Sequence, residues 1–481
     1  KVIGVDSSAS PSTTVYDPTC GSGSLLLKVA DEAEKSISIY GQENDTATAA
    51  LARMNMILHN NPSAEIKQGN TLSGPLFLDG GRLKTFDYVV ANPPFSFKSW
   101  SNGIIAEKDT YGRFKDYGVP PAKNGDYAFL LHIVHSLKSK GKGACILPHG
   151  VLFRGNAEAT IRTNIIKKGY IKGIIGLPPN LFYGTGIPAC IIVIDKENSQ
   201  NRKGIFMVDA SRGFMKDGNK NRLREQDIHK IVDVFNNQLE IEKYSRMVPV
   251  SEIEGNGNNL NIPRYIDSQE AEDIQNIEAH LSGGIPDSDI SALHSFWEVC
   301  PTLNKVLFKS AGRPGFSRLL VPQDSIKSAI LSQPEFKTYS AQVVDAFLKW
   351  KKDNIKKLKS ISGDDKPKKI ISEISEALLT VFATLNLIDK YDIYQHLLIY
   401  WAETMQDDVY IIVSDGWMSG REIERRKKEF EGRLIPKNLI VAKYFAAEQK
   451  GIESLESERD EIIRQIEELE EEHSGDEGLL N

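Results

Sequence analysis

"TTVYDPTCGSGSLLLKVA", residues 13–30, reads as a short β-strand, a glycine-rich turn and the start of a helix. Gly21 and Gly23 permit positive φ and let the backbone approach a bound ligand, and amide groups at the start of a helix favour polar ligand groups. The stretch matches neither GxxxxGK[ST] nor GxGxxG, which excludes a P-loop and a dinucleotide fingerprint. A short turn headed by Asp17 indicates a ligand without a pyrophosphate.

Strands and helices continue to alternate as far as about Asp209. Further apolar segments read as strands at residues 36–43, 64–70, 86–94, 143–150, 171–179, 189–195 and 204–211. Between them, residues 47–60 and 126–141 space their apolar residues at three and four, as helices do. Alternating elements predict an α/β fold with a doubly wound, mostly parallel Rossmann-like sheet. Such a sheet binds ligands beyond the carboxyl ends of its strands, where the sequence places Asp17, Glu43, Asn70 and Asn92.

Capping residues predict where the two helices begin. Asn44 or Asp45 is a candidate N-cap for the first helix, and Asp126 for the second.

The strand signals fade after about Asp267. Helical patterns dominate as far as Trp401, with a lysine-rich surface stretch at 351–369, and residues 407–417 read as a late strand and turn. We expect Trp401 and Trp417 to lie in a core. The sequence thus predicts a ligand-binding domain over residues 1–266, a mainly helical C-terminal region over 267–445 and an acidic tail over 446–481.

The tail repeats apolar residues at a spacing of roughly three and four. These residues are Ile452, Leu455, Ile462, Ile466 and Leu469. The spacing predicts a short coiled coil, although a solvated charged helix is the alternative.

Charge is distributed unevenly along the chain. Residues 453–472 carry ten Asp or Glu and two Arg, a net charge of −8, and the whole chain carries −6, so the remainder sums to +2. The charge therefore neither supports nor excludes binding to DNA.

The composition is that of an ordinary globular protein, with 40% hydrophobic and 26% charged residues in 481. No apolar run approaches the ~20 residues that span a bilayer, so we expect no membrane association. The four cysteines form no CxxC pair, which fits a reducing cytoplasm and argues against structural zinc. The sequence opens at Lys1 without Met, close to strand-like sequence, and we interpret it as a fragment that lacks its natural N-terminus.

Three strand ends together describe an adenosine pocket. Glu43, at the end of the second strand, can accept hydrogen bonds from both ribose hydroxyls, and Asn70, after the third, is placed to reach an adenine edge. A pocket of this kind without a phosphate cradle fits S-adenosylmethionine; a tight turn with two solvated polar residues is the alternative. The candidate cofactor-binding residues are Asp17, Thr19, Gly21, Ser22, Gly23, Ser24, Glu43 and Asn70.

"FDYVVANPPFSF", residues 86–97, ends a buried strand in two prolines, which donate no backbone hydrogen bond. The Asn92 side-chain oxygen and the Pro93 carbonyl can hold both N–H protons of an exocyclic amine, and the prolines stiffen the geometry that in-line transfer rewards. Phe95 can stack on the ring being modified, and a DNA base would first be flipped from the duplex. This chemistry needs no metal and no covalent nucleophile. The alternative for the turn is a simple strand terminator.

Long blocks of the sequence resemble the modification (M) subunit of type I restriction-modification systems. They include "DPTCGSGSLLL" (17–27), "FDYVVANPPFS" (86–96), "IIGLPPNLFYGTGIPACIIV" (174–193) and "NLNIPRYID" (259–267), and the resemblance continues into the C-terminal region. It implies a Rossmann-like methyltransferase sheet and an S-adenosylmethionine-dependent DNA adenine-N6 methyltransferase. It also implies a specificity (S) subunit that reads the DNA, usually with two M per S, and a restriction (R) subunit.

The resemblance assigns cofactor contacts to Ser22, Gly23, Ser24 and Glu43, and the target adenine to Asn92, Pro93 and Phe95. Two departures stand out. The family's N-terminal helical domain, with a Thr-Pro segment that helps to hold the cofactor, would precede Lys1. The position of Asn70 is commonly Asp in related enzymes; Asn offers an acceptor oxygen but no charge.

Other functions stay open at this point. One is a solitary amino-methyltransferase acting on RNA or on a protein amide, and another is a catalytically silent assembly subunit. Arg154 and Arg162 fit contact with DNA phosphate and ordinary surface positions equally well, and His149 in "LPHG" reads as part of a strand-end turn rather than as a catalytic base.

Overall fold

Apolar strands separated by helices build the first of two compact units, Lys1–Gln275; the second is Asn276–Asn481. The computed structural model describes residues 1–33, 35–269, 275–421, 423–426, 429–434 and 437–473.

The strands of the first unit are β1 (Thr14–Asp17), β2 (Ser38–Glu43), β3 (Glu65–Gln68), β4 (Leu78–Asp79), β5 (Arg82–Leu83), β6 (Phe86–Ala91), β7 (Leu137–Pro148), β8 (Ile171–Gly176), β9 (Ala189–Asp195), β10 (Gly204–Asp209), β11 (Met215–Asp217), β12 (Lys220–Arg222) and β13 (Ser245–Pro249). Its helices are α1 (Ser24–Ala33), α2 (Thr46–Leu58), α3 (Asp126–His135), α4 (Asn156–Lys167), α5 (Glu225–Asn237) and α6 (Val250–Gly255).

Within the described residues, nine of these strands form one sheet in the order β13-β10-β8-β9-β7-β6-β1-β2-β3. Neighbours are parallel except at β9 and β13, which run antiparallel to the strands beside them. The predicted α/β class and mostly parallel sheet are therefore confirmed. The small hairpins β4–β5 and β11–β12 lie outside this sheet.

Both faces of the sheet are covered, as a doubly wound fold requires. Helices α3 and α4 pack on one face and α1, α2 and α5 on the other. Ile192 and Val193, adjacent on β9, belong to opposite clusters, which is the alternation expected of a strand. Each such buried side chain stabilises the fold by about 1.5–3 kcal/mol relative to exposure.

The predicted helix over residues 126–141 is wrong in its second half. The helix ends at His135, and β7 begins at Leu137 with an alternating burial pattern. A Cβ on Gly141 would lie 3.0 Å from the Phe86 carbonyl oxygen, so close approach of a neighbouring strand explains the glycine. The N-cap of α3 is Gly125 rather than Asp126, whereas Asp45 caps α2 as predicted by accepting the Thr48 N–H.

The second unit is mainly helical, as predicted. Its helices are α7 (Ile277–Ser282), α8 (Asp287–Ala292), α9 (His294–Val299), α10 (Leu303–Leu307), α11 (Ile326–Ser332), α12 (Pro334–Lys359), α13 (Pro367–Phe382), α14 (Lys390–Tyr400), α15 (Gln406–Asp415), α16 (Lys437–Tyr444) and α17 (Ala446–His473). Its short strands are β14 (Ile285–Pro286), β15 (Phe308–Ser310), β16 (Phe316–Leu319), β17 (Ile423–Arg426) and β18 (Glu429–Gly432).

Helices α12 to α15 share a core that includes Trp350 and Trp401. The predicted late strand at 407–417 is wrong, because this segment forms α15 and buries Val409 and Ile412, three residues apart, on one helical face. Trp417 is 51% exposed and not a core residue, although its indole N–H donates to the Ile361 carbonyl.

The acidic tail contains all of α17, and its described side chains are all exposed. Coiled-coil pairing of this helix remains a prediction, and Leu469 lies outside the residues whose side chains are described. None of the helices in the described part of the chain is both long and apolar enough to cross a membrane.

Candidate functional site

The glycine-rich turn joins β1 to α1 at the carboxyl edge of the sheet. Gly21 has φ +52° and Gly23 φ +79°, a region that favours glycine. A Cβ on Gly23 would lie 2.6 Å from the Met56 Cε, whereas a Cβ on Gly21 would meet nothing within 4 Å. Gly23 therefore permits close packing against α2, and Gly21 borders open space that a ligand can fill.

Two serines flank Gly23 in this turn. The hydroxyls of Ser22 and Ser24 lie 2.8 Å apart on the exposed side. The Ser22 carbonyl accepts a hydrogen bond from the Asn55 side chain at 3.0 Å. Helix α2 thus holds the turn from behind and leaves its hydroxyl groups available.

Glu43 ends β2 and contacts the same turn. Its Oε2 accepts the Gly21 N–H at 3.0 Å and its Oε1 accepts the Asp45 N–H at 3.0 Å. A carboxylate oxygen can accept more than one hydrogen bond, so Glu43 keeps acceptor capacity for a diol while the backbone fixes its orientation.

Asp17 lies beneath the turn and is 2% exposed. Its Oδ1 accepts the Thr19 N–H at 2.9 Å. Burial raises the pKa of Asp17 to about 7, against the opposing effect of the Thr19 amide. The Thr19 hydroxyl is buried, and no hydrogen-bond partner for it is found in the described part of the chain, so a polar group is available where a ligand would enter.

Asn70 lies two residues beyond β3. Its Oδ1 accepts the N–H groups of Leu72 and Ser73, at 2.9 and 3.1 Å. The oxygen expected to serve a ligand therefore stabilises its own turn, and the amide nitrogen, a donor, is the group that remains. An adenine ring nitrogen is an acceptor that this donor can bind.

The Asn-Pro-Pro-Phe turn follows β6, the neighbour of β1 in the sheet, with Val89 paired to Tyr16. Asn92 is exposed, Pro93 is buried and Phe95 is half-buried. Because β1 and β6 are parallel, this turn and the glycine-rich turn lie at the same edge. The structure thus brings together two sets of residues that are distant from each other along the chain.

A third loop reaches this edge and was missed by the sequence analysis. The Phe182 ring, in the loop 177–188 between β8 and β9, meets the Phe95 ring edge-on with centroids 5.5 Å apart. Its neighbour Tyr183 is 94% exposed. An aromatic pair in a loop bounded by Pro and Gly, directly after a buried strand, is the sequence signal that could have identified it.

The β11–β12 hairpin supports that loop. The Lys220 ammonium donates to the carbonyl oxygens of Phe182 and Thr185, at 2.9 and 3.3 Å. The Asn221 side chain, 4% exposed, donates to the Pro179 carbonyl at 2.7 Å. The loop is therefore fixed by side chains from a later part of the chain.

The residues at this edge fit an adenosine-type cofactor. Open space lies over Gly21, the Thr19 hydroxyl is buried without a partner among the described residues, and Glu43 retains free acceptor capacity. The neighbouring strand end carries candidate acceptors on Asn92 and Pro93 and the aromatic ring of Phe95. Such an arrangement suits group transfer between a nucleoside cofactor and a planar ring.

Comparison with known proteins assigns the chain to a family. The family model for N-6 DNA methylases matches residues 2–274, more than half of the 481 residues. The chain is similar to the type I restriction enzyme MjaVII methylase subunit of Methanocaldococcus jannaschii, 36% identical over 275 residues that cover 54% of this chain and 47% of that protein. It is equally similar, at 36% over 266 residues, to the MpnII methylase subunit of Mycoplasma pneumoniae, covering 53% and 49% of the two chains.

Among solved structures, the type I methyltransferase subunit of Streptococcus thermophilus is 39% identical, with a TM-score of 0.49 and coverage of 53% and 55%. The chain spans about half the length of the curated relatives it matches. The family match and the relatives at 36% identity confirm the resemblance to type I modification subunits that the sequence motifs indicated. On the family match over residues 2–274, this chain belongs to the N-6 DNA methylase family.

Proposed function

We propose that this protein transfers a methyl group from S-adenosylmethionine to the N6 amine of adenine in DNA, as the modification subunit of a type I restriction-modification complex. The observation that carries the proposal is the meeting of the glycine-rich turn and the Asn-Pro-Pro-Phe turn on the adjacent parallel strands β1 and β6. Relatives named type I methylase subunits, at 36% identity, support it.

The cofactor side would use the end of β2 and the turn after β1. Glu43 would accept the ribose hydroxyls, since its oxygens are already oriented by the Gly21 and Asp45 amides. The Asn70 amide nitrogen would donate to the adenine ring, and Thr19, Ser22 and Ser24 would bind the polar remainder. When bound, S-adenosylmethionine supplies an electrophilic methyl group on a positively charged sulfur.

The substrate side would hold the amine. The lone pair of an aromatic amine is delocalised, so the nitrogen is a weak nucleophile. Accepting one N–H on the Asn92 side-chain oxygen and the other on the Pro93 carbonyl favours a pyramidal nitrogen that points toward the cofactor. Preorganised groups of this kind act without reorganisation cost at the moment of reaction.

Aromatic side chains would bind the flipped base. The rings of Phe95 and Phe182 are perpendicular within 19°, at an interplanar angle of 71°, so one can stack on a base while the other contacts its edge. A target adenine is reached only outside the duplex stack. The exposed ring of Tyr183 would be free to contact the duplex beside the flipped base.

Partner subunits would supply sequence recognition. The chain outside residues 453–472 sums to only +2, and non-specific DNA affinity follows the number of neutralised phosphates. We therefore expect weak, sequence-independent binding by this chain alone, specificity from an S subunit in a complex with two M per S, and DNA cleavage from an R subunit. The exposed helix α17 is our candidate docking element, because an apolar stripe on an isolated helix needs a partner to bury it.

A methylation assay tests the proposal. The full chain, with and without its S subunit, is incubated with tritiated S-adenosylmethionine and DNA, and mass spectrometry identifies the product base. We expect N6-methyladenine, with sequence preference only when S is present. Methyl transfer to RNA or to a protein amide, or cofactor binding without any transfer, would replace the proposal with one of the alternative functions.

Assembly is tested separately by size-exclusion chromatography. Deleting residues 452–481 should weaken association with S or R while cofactor affinity is unchanged. Normal assembly of the shortened chain would show that α17 is not the docking element.

A further inference from the structure

The residue after the Asn-Pro-Pro-Phe turn has an unfavourable backbone conformation. Ser96 has φ +51°, a region that few residues other than glycine adopt and that persists only where the surroundings enforce it. Residues 95 and 96 form a turn, so Ser96 fixes the path of the chain directly after the Asn-Pro-Pro-Phe segment. Something must hold this residue in place.

A buried carboxylate contacts Ser96 directly. Asp126, the first residue of α3, is 0% exposed, and its Oδ1 accepts the Ser96 N–H at 2.7 Å. The Gly125 N–H donates to the Phe97 carbonyl at 3.0 Å, and a Cβ on Gly125 would lie 2.7 Å from the Trp100 Cβ. The start of α3 is thus packed against the segment that follows the turn.

The charge of Asp126 is balanced by Arg154, which lies beyond the end of β7. The Arg154 guanidinium donates to the Asp126 Oδ2 at 2.8 Å and to the Glu158 Oε1 at 3.4 Å. An unpaired buried carboxylate is strongly destabilising, so the ion pair with Arg154 stabilises the Asp126 side chain in its buried position. A Cβ on Gly150 would be 2.6 Å from the Arg154 Nε, and the glycine of "LPHG" therefore leaves room for this guanidinium.

We propose that Asp126 and Arg154 are positioning residues that hold the Asn-Pro-Pro-Phe turn in its transfer-competent shape through the Ser96 amide. The pair would act through the Ser96 amide rather than by contact with cofactor or base. Contact with DNA phosphate, one of two roles the sequence left open for Arg154, is not needed to explain the residue, because its guanidinium already serves two carboxylates. The catalytic consequence rests on the proposed function; the structural consequence does not.

Arg154→Met tests the pair, with Arg154→Lys as the conservative variant. The matched control is Arg202→Met. The Arg202 side chain is 14% exposed, and its guanidinium lies 3.8 Å from the Asp195 carboxylate at the opposite edge of the sheet. Hydrogen exchange is followed by mass spectrometry in peptides covering residues 92–98. Prolines carry no amide, so the Ser96 N–H is one of few reporters in that segment.

We expect exchange in residues 92–98 to accelerate about 10- to 100-fold in Arg154→Met, the factor that corresponds to loss of a hydrogen bond to a charged group. Arg154→Lys should restore part of the protection. Arg202→Met should lower thermal stability and leave exchange in residues 92–98 unchanged. Unchanged exchange in Arg154→Met, or equal acceleration in Arg202→Met, would overturn the proposal.

Methyl transfer provides the second readout. In Arg154→Met the turnover rate should fall by about 10- to 100-fold, because a misplaced reacting group costs that much, while the Kd for S-adenosylmethionine stays within about twofold. Equal losses in turnover and cofactor affinity would indicate general structural damage and contradict the positioning role. If the wild-type chain transfers no methyl group, the proposed function fails, yet hydrogen exchange still decides whether the pair holds the turn.

Discussion

Two strand-end turns meet at the carboxyl edge of the sheet, and they are stabilised in different ways. The glycine-rich turn after β1 uses two glycines at positive φ and is held by Glu43 from the adjacent strand. The Asn-Pro-Pro-Phe turn after β6 has two prolines and then a serine at positive φ, held by a carboxylate from α3.

The difference corresponds to what each turn would bind. A turn that admits a cofactor needs open space, which glycine provides. A turn that aims a lone pair needs rigidity, which proline provides, and its strained neighbour then needs external support. Tertiary contacts support both turns, but the first has glycine at its two positive-φ positions, whereas the second has a serine there.

The largest effect we predict is on the rigid turn. Asn92→Ala should lower the transfer rate by roughly 10²-fold or more, the loss found when one preorganised donor or acceptor is removed, with cofactor affinity unchanged by calorimetry. Asn92→Asp, which keeps an acceptor oxygen, should retain more activity than Asn92→Ala. Near-normal transfer by the alanine variant would contradict the role of this turn.

The next effect concerns the carboxyl group beneath the glycine-rich turn. Burial raises the pKa of Asp17 to about 7, above ~3.9 for the unfolded chain. Between these values the unfolded state ionises and the folded state does not, so stability is highest below the unfolded pKa and falls as pH rises to 7. Asp17→Asn should remove about 2–4 kcal/mol of this pH dependence.

Calorimetry from pH 4 to 8 measures it, using the transition that added S-adenosylmethionine moves to higher temperature. The same pH dependence in Asp17→Asn and wild type would show that Asp17 is ionised throughout.

A smaller effect is expected at Glu43, the carboxylate that contacts the glycine-rich turn and would bind the ribose. Glu43→Ala should weaken S-adenosylmethionine binding by roughly 1.5–3 kcal/mol, since a charged acceptor is lost. Glu65→Ala, which removes an exposed carboxylate from the adjacent strand β3, serves as the control and should bind normally. An unchanged Kd in Glu43→Ala would mean that Glu43 only braces the turn.

The smallest effect we predict compares the stability cost of positive φ at Ser96 with that at Gly21. Ser96→Gly should raise the free energy of unfolding by at most about 1 kcal/mol, because relief of left-handed strain is partly offset by the larger entropy of unfolded glycine. Gly21→Ala, which introduces that strain at φ +52°, should lower it by about 1–2 kcal/mol. Denaturant unfolding measures both, and a loss of stability in Ser96→Gly would show that the serine side chain itself stabilises the turn.

Strands and turns that depend mainly on residues close together in the sequence could be predicted from it. Short apolar segments identified the strands, and the local motifs identified the turns that carry Gly21 and Asn92. The start of β7 was missed because its lysines and glycines show no apolar pattern, and Gly141 is explained by close approach to the backbone of Lys138 and Phe86.

Contacts between distant residues could not be predicted. Asp126 is 30 residues from Ser96 and Arg154 28 residues from Asp126, so no local pattern links them. Gln42 is a further case: it is fully buried and bonds the carbonyls of Gly69 and Gly74 and the amide of Leu76. A polar side chain with such partners is recognisable only after the sheet has formed.

The two prolines have a consequence for which rings this edge accepts. Residues 93 and 94 contribute carbonyl oxygens and no N–H, so this stretch of backbone can only accept hydrogen bonds. An adenine amine satisfies it, whereas the oxygen of hypoxanthine, the deaminated base, would set lone pairs against lone pairs. DNA with hypoxanthine at the target position should therefore compete less well than DNA of the same sequence with adenine there, and equal or tighter competition would contradict this selectivity. Deaminated adenine would be rejected because it lacks the two N–H donors of the 6-amino group.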